Sequence, residues 1–222
     1  MALSAVIFDM DGVLIDSEPI IRGAAQLAAM EIDRTITDHF YASLLGLPSP
    51  QVEVAFMREF GHDFPLADFR HRFERCYRSE IDHRGLAAKP GIPMLLDELL
   101  ARGIPIAVAT STRANNAASA LAATGLLARL AVCVTGDQVQ NGKPAPDIFL
   151  LAASRIGVAP QNCIAVEDSE VGARAAVAAG MYTLLVPDLK QPSEELANLV
   201  AEIYSSMPLA ARRILTLLAA NP

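Results

Sequence analysis

The chain has 222 residues, 52% of them hydrophobic and 19% charged, enough apolar side chain for a sizeable core, which excludes a disordered chain, a collagen or a small disulfide scaffold. Twenty-five Asp and Glu against 18 Lys and Arg give a net charge of −7, and with no block of basic residues a general grip on nucleic acid is disfavoured. The longest apolar runs, such as Ile104–Ala109 and Ile214–Ala220, fall short of the roughly 20 residues that a membrane-spanning helix needs, so no membrane partner is expected.

In chain order, the first predicted strand is the β-branched run Ala5–Asp9. Residues 17–89 then differ from the rest: eight of the twelve aromatic residues and all four histidines fall there. Phe and Tyr spacings of three to five predict helices near 18–30, 37–45, 50–60 and 65–81. Beyond residue 90, predicted strands Ile104–Thr110, Ala131–Thr135, Cys163–Glu167 and Thr183–Pro187 alternate with predicted helices. These helices are Ile92–Arg102, Arg113–Thr124, Asp147–Ile156, Val171–Ala179, Glu194–Ala201 and Pro208–Ala219. Such alternation is the pattern of parallel strands joined by crossover helices. Gly103, Gly125, Gly157 and Gly180 stand just past helical stretches, where a left-handed C-cap is wanted. The expected fold is therefore α/β: a doubly wound, Rossmann-like parallel sheet from residues 1–16 and 90–222, with a helical domain, 17–89, inserted after the first strand. Cys76, Cys133 and Cys163 are odd in number and widely spaced, and read as buried reduced thiols. The start of the chain has neither the basic nor the apolar region of a signal peptide, so a cytoplasmic location is expected.

Ligands of an open parallel sheet bind outside the carboxyl ends of its strands, so those ends are where chemistry is sought. The first strand runs into Asp9, Met10, Asp11 and Gly12, two carboxylates whose repulsion a divalent cation would relieve. Thr110, Ser111 and Thr112 end the second, where hydroxyls and free N–H groups suit a phosphate, unless one of them merely caps the next helix. Gly142, Lys143 and Pro144 follow the third, with Pro144 placed for the first turn of a helix. Glu167 and Asp168 end the fourth, a pair that alone would be an N-cap with a surface charge beside it. Each residue has such a bland reading; four complementary sets on one sheet edge describe a site for Mg²⁺ and a phosphoryl group.

The stretches FDMDGVLIDSEP at 8–19, VATST at 108–112, GKPAPDIF at 142–149 and AVEDSEVGARAA at 165–176 resemble, in order and spacing, the four motifs of the haloacid dehalogenase superfamily of phosphatases. The insertion resembles the cap of the subgroup that holds β-phosphoglucomutase, phosphoglycolate phosphatase and sugar-phosphate phosphatases. The resemblance implies that Asp9 is a nucleophile and metal ligand and that Asp11 is the general acid and base, its carbonyl also on the metal. It implies that Thr110 and the Ser111 backbone hold phosphoryl oxygens, and that Lys143 neutralises the transition state. Asp168 would be a metal ligand, with Glu167 coordinating the metal or positioning its water. It further implies a small phosphorylated metabolite as substrate, Mg²⁺ as cofactor and a monomer. Within the family, dehalogenases lack the second aspartate at the place of Asp11. Phosphonatases need a lysine early in the insertion, and none stands between Glu18 and Lys89. Mutases carry a His after the first motif and an Arg in the cap loop, where this chain has Ile20 and Ile21, and Gly46, Leu47, Pro48 and Ser49. A phosphatase is therefore preferred, with a mutase as the alternative. The segment around Gly46 and Leu47, interrupted by Pro48 and Pro50, is a candidate specificity loop or a plain turn. Arg70, Arg72, Arg75 and Arg78 read as a solvated basic face. No histidine lies in the motifs, so a Ser–His–Asp hydrolase fits poorly. A receiver-type phospho-acceptor domain is a weaker rival, since its acceptor ends a middle strand of a chain about half this long.

Overall fold

A computed structural model describes residues 2–47 and 49–219. The chain divides into two compact units, one of Met1–Asp16 with Ala87–Pro222 and the other Ser17–Leu86.

The first unit is built on a six-stranded parallel sheet of β1 (Ala5–Phe8), β2 (Ile106–Thr110), β3 (Val132–Thr135), β4 (Cys163–Glu167), β5 (Tyr182–Leu185) and β6 (Glu202–Ile203). Their spatial order is β3-β2-β1-β4-β5-β6. Strands β1, β2 and β4 are buried on both faces, which is why they read as near-continuous apolar runs and not as alternation. The order reverses between β1 and β4, so the crevice of a doubly wound sheet opens there. Pairing of Phe8 with Val108 on one side and Val166 on the other sets the residue after β1 level with the ends of both neighbours.

Helices of this unit are α5 (Ile92–Ala101), α6 (Ala114–Ala123), α7 (Asp147–Arg155), α8 (Glu170–Ala178), α9 (Glu194–Leu199) and α10 (Met207–Ala219), after the four helices of the other unit. Ala152, Ala153, Ala175 and Ala176 lie fully buried with Ile7, Ala107 and Ala165, small side chains that let helix backbones approach the sheet closely. All four C-terminal glycines named above adopt positive φ.

Three features depart from expectation. Strand β6 was not foreseen, because two residues carry no periodicity; the helix expected through Ala201 stops at Leu199, and backbone bonds from Ala201 and Tyr204 to β5 draw this segment into the sheet. Pro144 does not open α7: Pro146 is its N-cap, and Pro144 follows a cis peptide bond from Lys143 in the loop before it. The unit boundary falls at 86/87 rather than at 89/90, since Ala88 bridges Ile15 and the Lys89 N–H bonds the Leu14 carbonyl. Ala220, at the end of the longest C-terminal run, lies outside the described residues.

The second unit comprises α1 (Glu18–Met30), α2 (Asp38–Leu44), α3 (Ser49–Phe60) and α4 (Leu66–Arg84). Its core is aromatic: the Phe56 ring lies 5.4 Å from Phe40, 5.9 Å from Phe60, 5.3 Å from Phe64 and 4.8 Å from Phe69, centroid to centroid. Arg70, Arg75 and Arg78 are exposed, in keeping with a solvated face, and within it Arg70 pairs with Glu53, Arg75 with Glu31, and the half-buried Arg72 with Asp68 and Glu31. Cys76 and Cys163 are buried free thiols, whereas Cys133 is only half-buried.

Candidate active site

The site lies in the first unit, at the carboxyl ends of β1, β2 and β4. Asp9 follows β1 directly, and its N–H bonds the Val166 carbonyl at 2.9 Å, so its position is fixed by the ladder itself. Lys143 reaches it from the loop before α7. The ammonium donates to Asp9 Oδ1, to Glu167 Oε1 at 2.6 Å and to the Ala109 carbonyl at 3.0 Å, saturating its three donors. Beneath it the Phe149 ring centroid lies at 5.1 Å, which shields one side of the amine from water.

Glu167 is fully buried, and its second oxygen accepts from the backbone N–H of Asp168 at 3.1 Å, from that of Ser169 at 3.2 Å and from Ser169 Oγ at 3.0 Å. Ser169, not Glu167 or Asp168, is the N-cap of α8, its Oγ accepting from Gly172. Thus the N-cap reading of the acidic pair fails for both. Glu167 is committed on both oxygens; Asp168 is held against Gly12, where a Cβ would come within 2.7 Å of its Cγ. Gly12 adopts φ +83° as well, so glycine is demanded twice over.

Oxygen atoms of Asp9, Glu167 and Asp168 lie within 4.8 Å of one another. One lysine among three carboxylates leaves the group short of positive charge. Burial accordingly pushes the Asp9 carboxyl up to about 8, with Lys143 opposing the rise and Glu167 and Asp11 adding to it. Asp168 is likewise raised, first by burial and then by Glu167 and Asp9. A buried, oxygen-only donor set short of positive charge fits a hard divalent cation such as Mg²⁺.

Asp11 stands apart from that cluster. Its Oδ2 accepts from the Thr112 hydroxyl at 2.7 Å, and its Oδ1 is buried without a hydrogen-bond partner. Thr110 is buried at the end of β2, its hydroxyl oxygen accepting from the Thr112 N–H at 3.0 Å, and Ser111 is exposed. None of the three caps α6. Arg113 is its N-cap residue and Asp137, held by Thr135 at 2.6 Å, accepts from the Ala114 N–H. Sequence reasoning noted Thr112 only as one hydroxyl of three and missed Phe149 and Asp137. The tether to Asp11, 101 residues away, leaves no trace in local spacing. Gly46 and Leu47 lie in the turn between α2 and α3, in the other unit; Gly46 has φ +75° and open space at its Cβ position. Pro50 sits in the first turn of α3 and does not interrupt it, and Pro48 lies outside the described residues.

Carboxylates, an amine and hydroxyls thus meet at the switch point of a doubly wound sheet, where such sheets bind their ligands. The family model of haloacid dehalogenase-like hydrolases matches residues 3–180. The chain is 34% identical over 179 residues to the phosphorylated carbohydrates phosphatase of Thermotoga maritima, covering 81% of this chain and 82% of that one. It superimposes on CbbY of Rhodobacter sphaeroides, solved in complex with phosphate, with TM-score 0.83 at 29% identity, covering 94% and 98% of the two chains. It also superimposes on a β-phosphoglucomutase of Clostridium difficile, with TM-score 0.79 at 25% identity and 98% of each chain covered. The chain belongs to the haloacid dehalogenase-like hydrolases, and it is a phosphatase. Among the described residues no helix is long and apolar enough to cross a membrane.

Proposed function

We propose that the enzyme hydrolyses a small phosphomonoester, a sugar phosphate or similar metabolite, with Mg²⁺ and through an aspartyl phosphate on Asp9. The observation that carries this reading is the sharing of one saturated ammonium, Lys143, between Asp9 and the fully buried Glu167. Asp9 is thereby aimed and charge-compensated, as a nucleophile toward phosphorus requires. Asp9, Asp168 and the Asp11 carbonyl would hold Mg²⁺, which when bound supplies the positive charge that an anionic ester needs in order to approach these carboxylates.

In the first step the Asp9 carboxylate attacks phosphorus as the ester P–O bond breaks, and Asp11 donates a proton to the departing alkoxide. In the second, Asp11 takes a proton from water as water attacks the phosphorus of the aspartyl phosphate, returning Asp9 and releasing phosphate. The Thr110 hydroxyl, the Ser111 N–H and Lys143 would hold the phosphoryl oxygens through both displacements. Glu167 fixes Lys143 and the loop to α8 through its hydrogen bonds, and from there would coordinate the metal or position its water. Choice of leaving group is assigned to the helical cap, Ser17–Leu86, with Gly46 and Leu47 as candidate determinants.

A panel of sugar and organic-acid phosphates tests the reading through phosphate release with Mg²⁺ and then with EDTA. Metal-dependent release is expected, greatest on a sugar phosphate. Conversion of β-glucose 1-phosphate to glucose 6-phosphate on addition of a glucose bisphosphate, without net release, would favour a mutase, the activity for which the Clostridium difficile structural neighbour is named.

A further inference from the structure

Asp11 is the residue through which every proton of the proposed reaction passes, yet nothing in its own turn orients its carboxylate. Its backbone is set by a tight turn: the Gly12 N–H bonds the Ile15 carbonyl at 2.9 Å, and the Leu14 and Ile15 N–H groups bond the Met10 carbonyl at 2.9 and 3.0 Å. The side chain meets a single hydrogen-bond donor among the described residues, the Thr112 hydroxyl at 2.7 Å.

Thr112 is itself anchored at both ends of its backbone. Its N–H donates to Thr110 Oγ1 at 3.0 Å, and its carbonyl accepts from the Gly136 N–H at 3.2 Å. Gly136 can approach this closely because it has no side chain; a Cβ there would overlap the Ser111 carbonyl. Strand β3 therefore holds the loop after β2, and that loop aims one hydroxyl at one carboxylate oxygen.

We propose that Thr112 is a positioning residue for the acid and base: by donating to Oδ2 it reserves Oδ1, buried and otherwise unpartnered, as the oxygen that carries the transferred proton. The assignment rests on the phosphatase reading above. In the phosphorylation step the proton leaves Oδ1 for the ester oxygen while the P–O bond breaks. The carboxylate so formed keeps the Thr112 hydrogen bond, which strengthens as its acceptor becomes charged. In the hydrolytic step Oδ1 takes the proton back from water. Preorganisation of this kind acts only where a leaving group needs a proton, and therein lies the test.

Wild type, Thr112→Val and Thr112→Ser would be compared on an alkyl phosphate and on p-nitrophenyl phosphate, whose leaving group departs without protonation. With kcat/KM as the readout for the phosphorylation step, Thr112→Val is expected to fall about tenfold to a hundredfold on the alkyl ester and less than about threefold on the aryl ester. Thr112→Ser, which restores the hydroxyl, is expected to recover most of the alkyl activity. Equal losses on both esters, no loss on either, or a Ser variant as impaired as Val would each overturn the assignment while wild-type turnover leaves the phosphatase reading standing. Failure of the wild type to hydrolyse either ester would overturn both.

Discussion

Gly172→Ala sets helix propensity against the geometry of the site. Gly172 lies in the first turn of α8 with ordinary helical φ, where alanine would by propensity stabilise the fold by at most about 1 kcal/mol. A Cβ there, however, would stand under 3.0 Å from Oε1, Cδ and Oε2 of Glu167, against 3.4–4 Å for ordinary contact. Glu167 cannot swing aside cheaply, being fully buried and held by Lys143, two backbone N–H groups and Ser169 Oγ. Displacing it weakens hydrogen bonds to a charged acceptor worth about 1.5–3 kcal/mol each, and separating a buried ion pair costs about 3–5 kcal/mol. Partial relaxation leaves a net loss of about 2–4 kcal/mol, a fall in Tm of about 5–15 °C for a chain of this length. Urea unfolding of the wild type, Gly172→Ala, Glu167→Ala and the double variant would measure it. If the clash is the cause, the alanine should cost far less when Glu167 is already truncated. A single variant as stable as the wild type, or costs that simply add, would refute the reasoning.

Other consequences follow from the same structure. Phe56→Ala, which removes a ring packed against four others, should destabilise the helical unit by about 3–5 kcal/mol in denaturant unfolding. Burial works against ionisation of Glu202, but hydrogen bonds from Arg213, Tyr182 and Tyr204 prevail and hold its carboxyl down at about 2. Because the folded value is depressed below the ordinary 4.5, the stability that Glu202 supplies is complete above that pH and lost as pH falls toward about 2. Glu202→Gln should therefore flatten stability against pH across that window. Mg²⁺ should raise the Tm of the wild type, and Asp168→Asn should blunt the rise, as followed by calorimetry across a metal titration.

Residues read from the sequence as chemical were those at strand ends, where a short apolar run stopping at a polar residue is a local signal. Asp9, Thr110 and Glu167 each stand within one residue of a strand's last position for that reason. What joins them is not local. Lys143 meets Asp9 across 134 positions, and its loop has no period from which that reach could be read. The same holds for Thr112 and Asp11, and for the bridge of Ala88 to Ile15 that moves the unit boundary. Strand β6 was hidden for a different reason, its two residues being paired only because β5 offers an edge. The basic face of α4 is solvated as its sequence suggests, but a helix sequence shows its own charges and not the carboxylates that meet them, Glu31 at the C-cap of α1 and Glu53 of α3.

The claim at the centre of the account is that Asp9 carries the phosphoryl group. Acid quenching of the enzyme during turnover of a ³²P-labelled ester, followed by peptide mapping, tests it most directly. Label on Asp9, labile to hydroxylamine and absent from Asp9→Asn, is the expected result. A turning-over enzyme that yields no labelled protein, or label on any other residue, would contradict it.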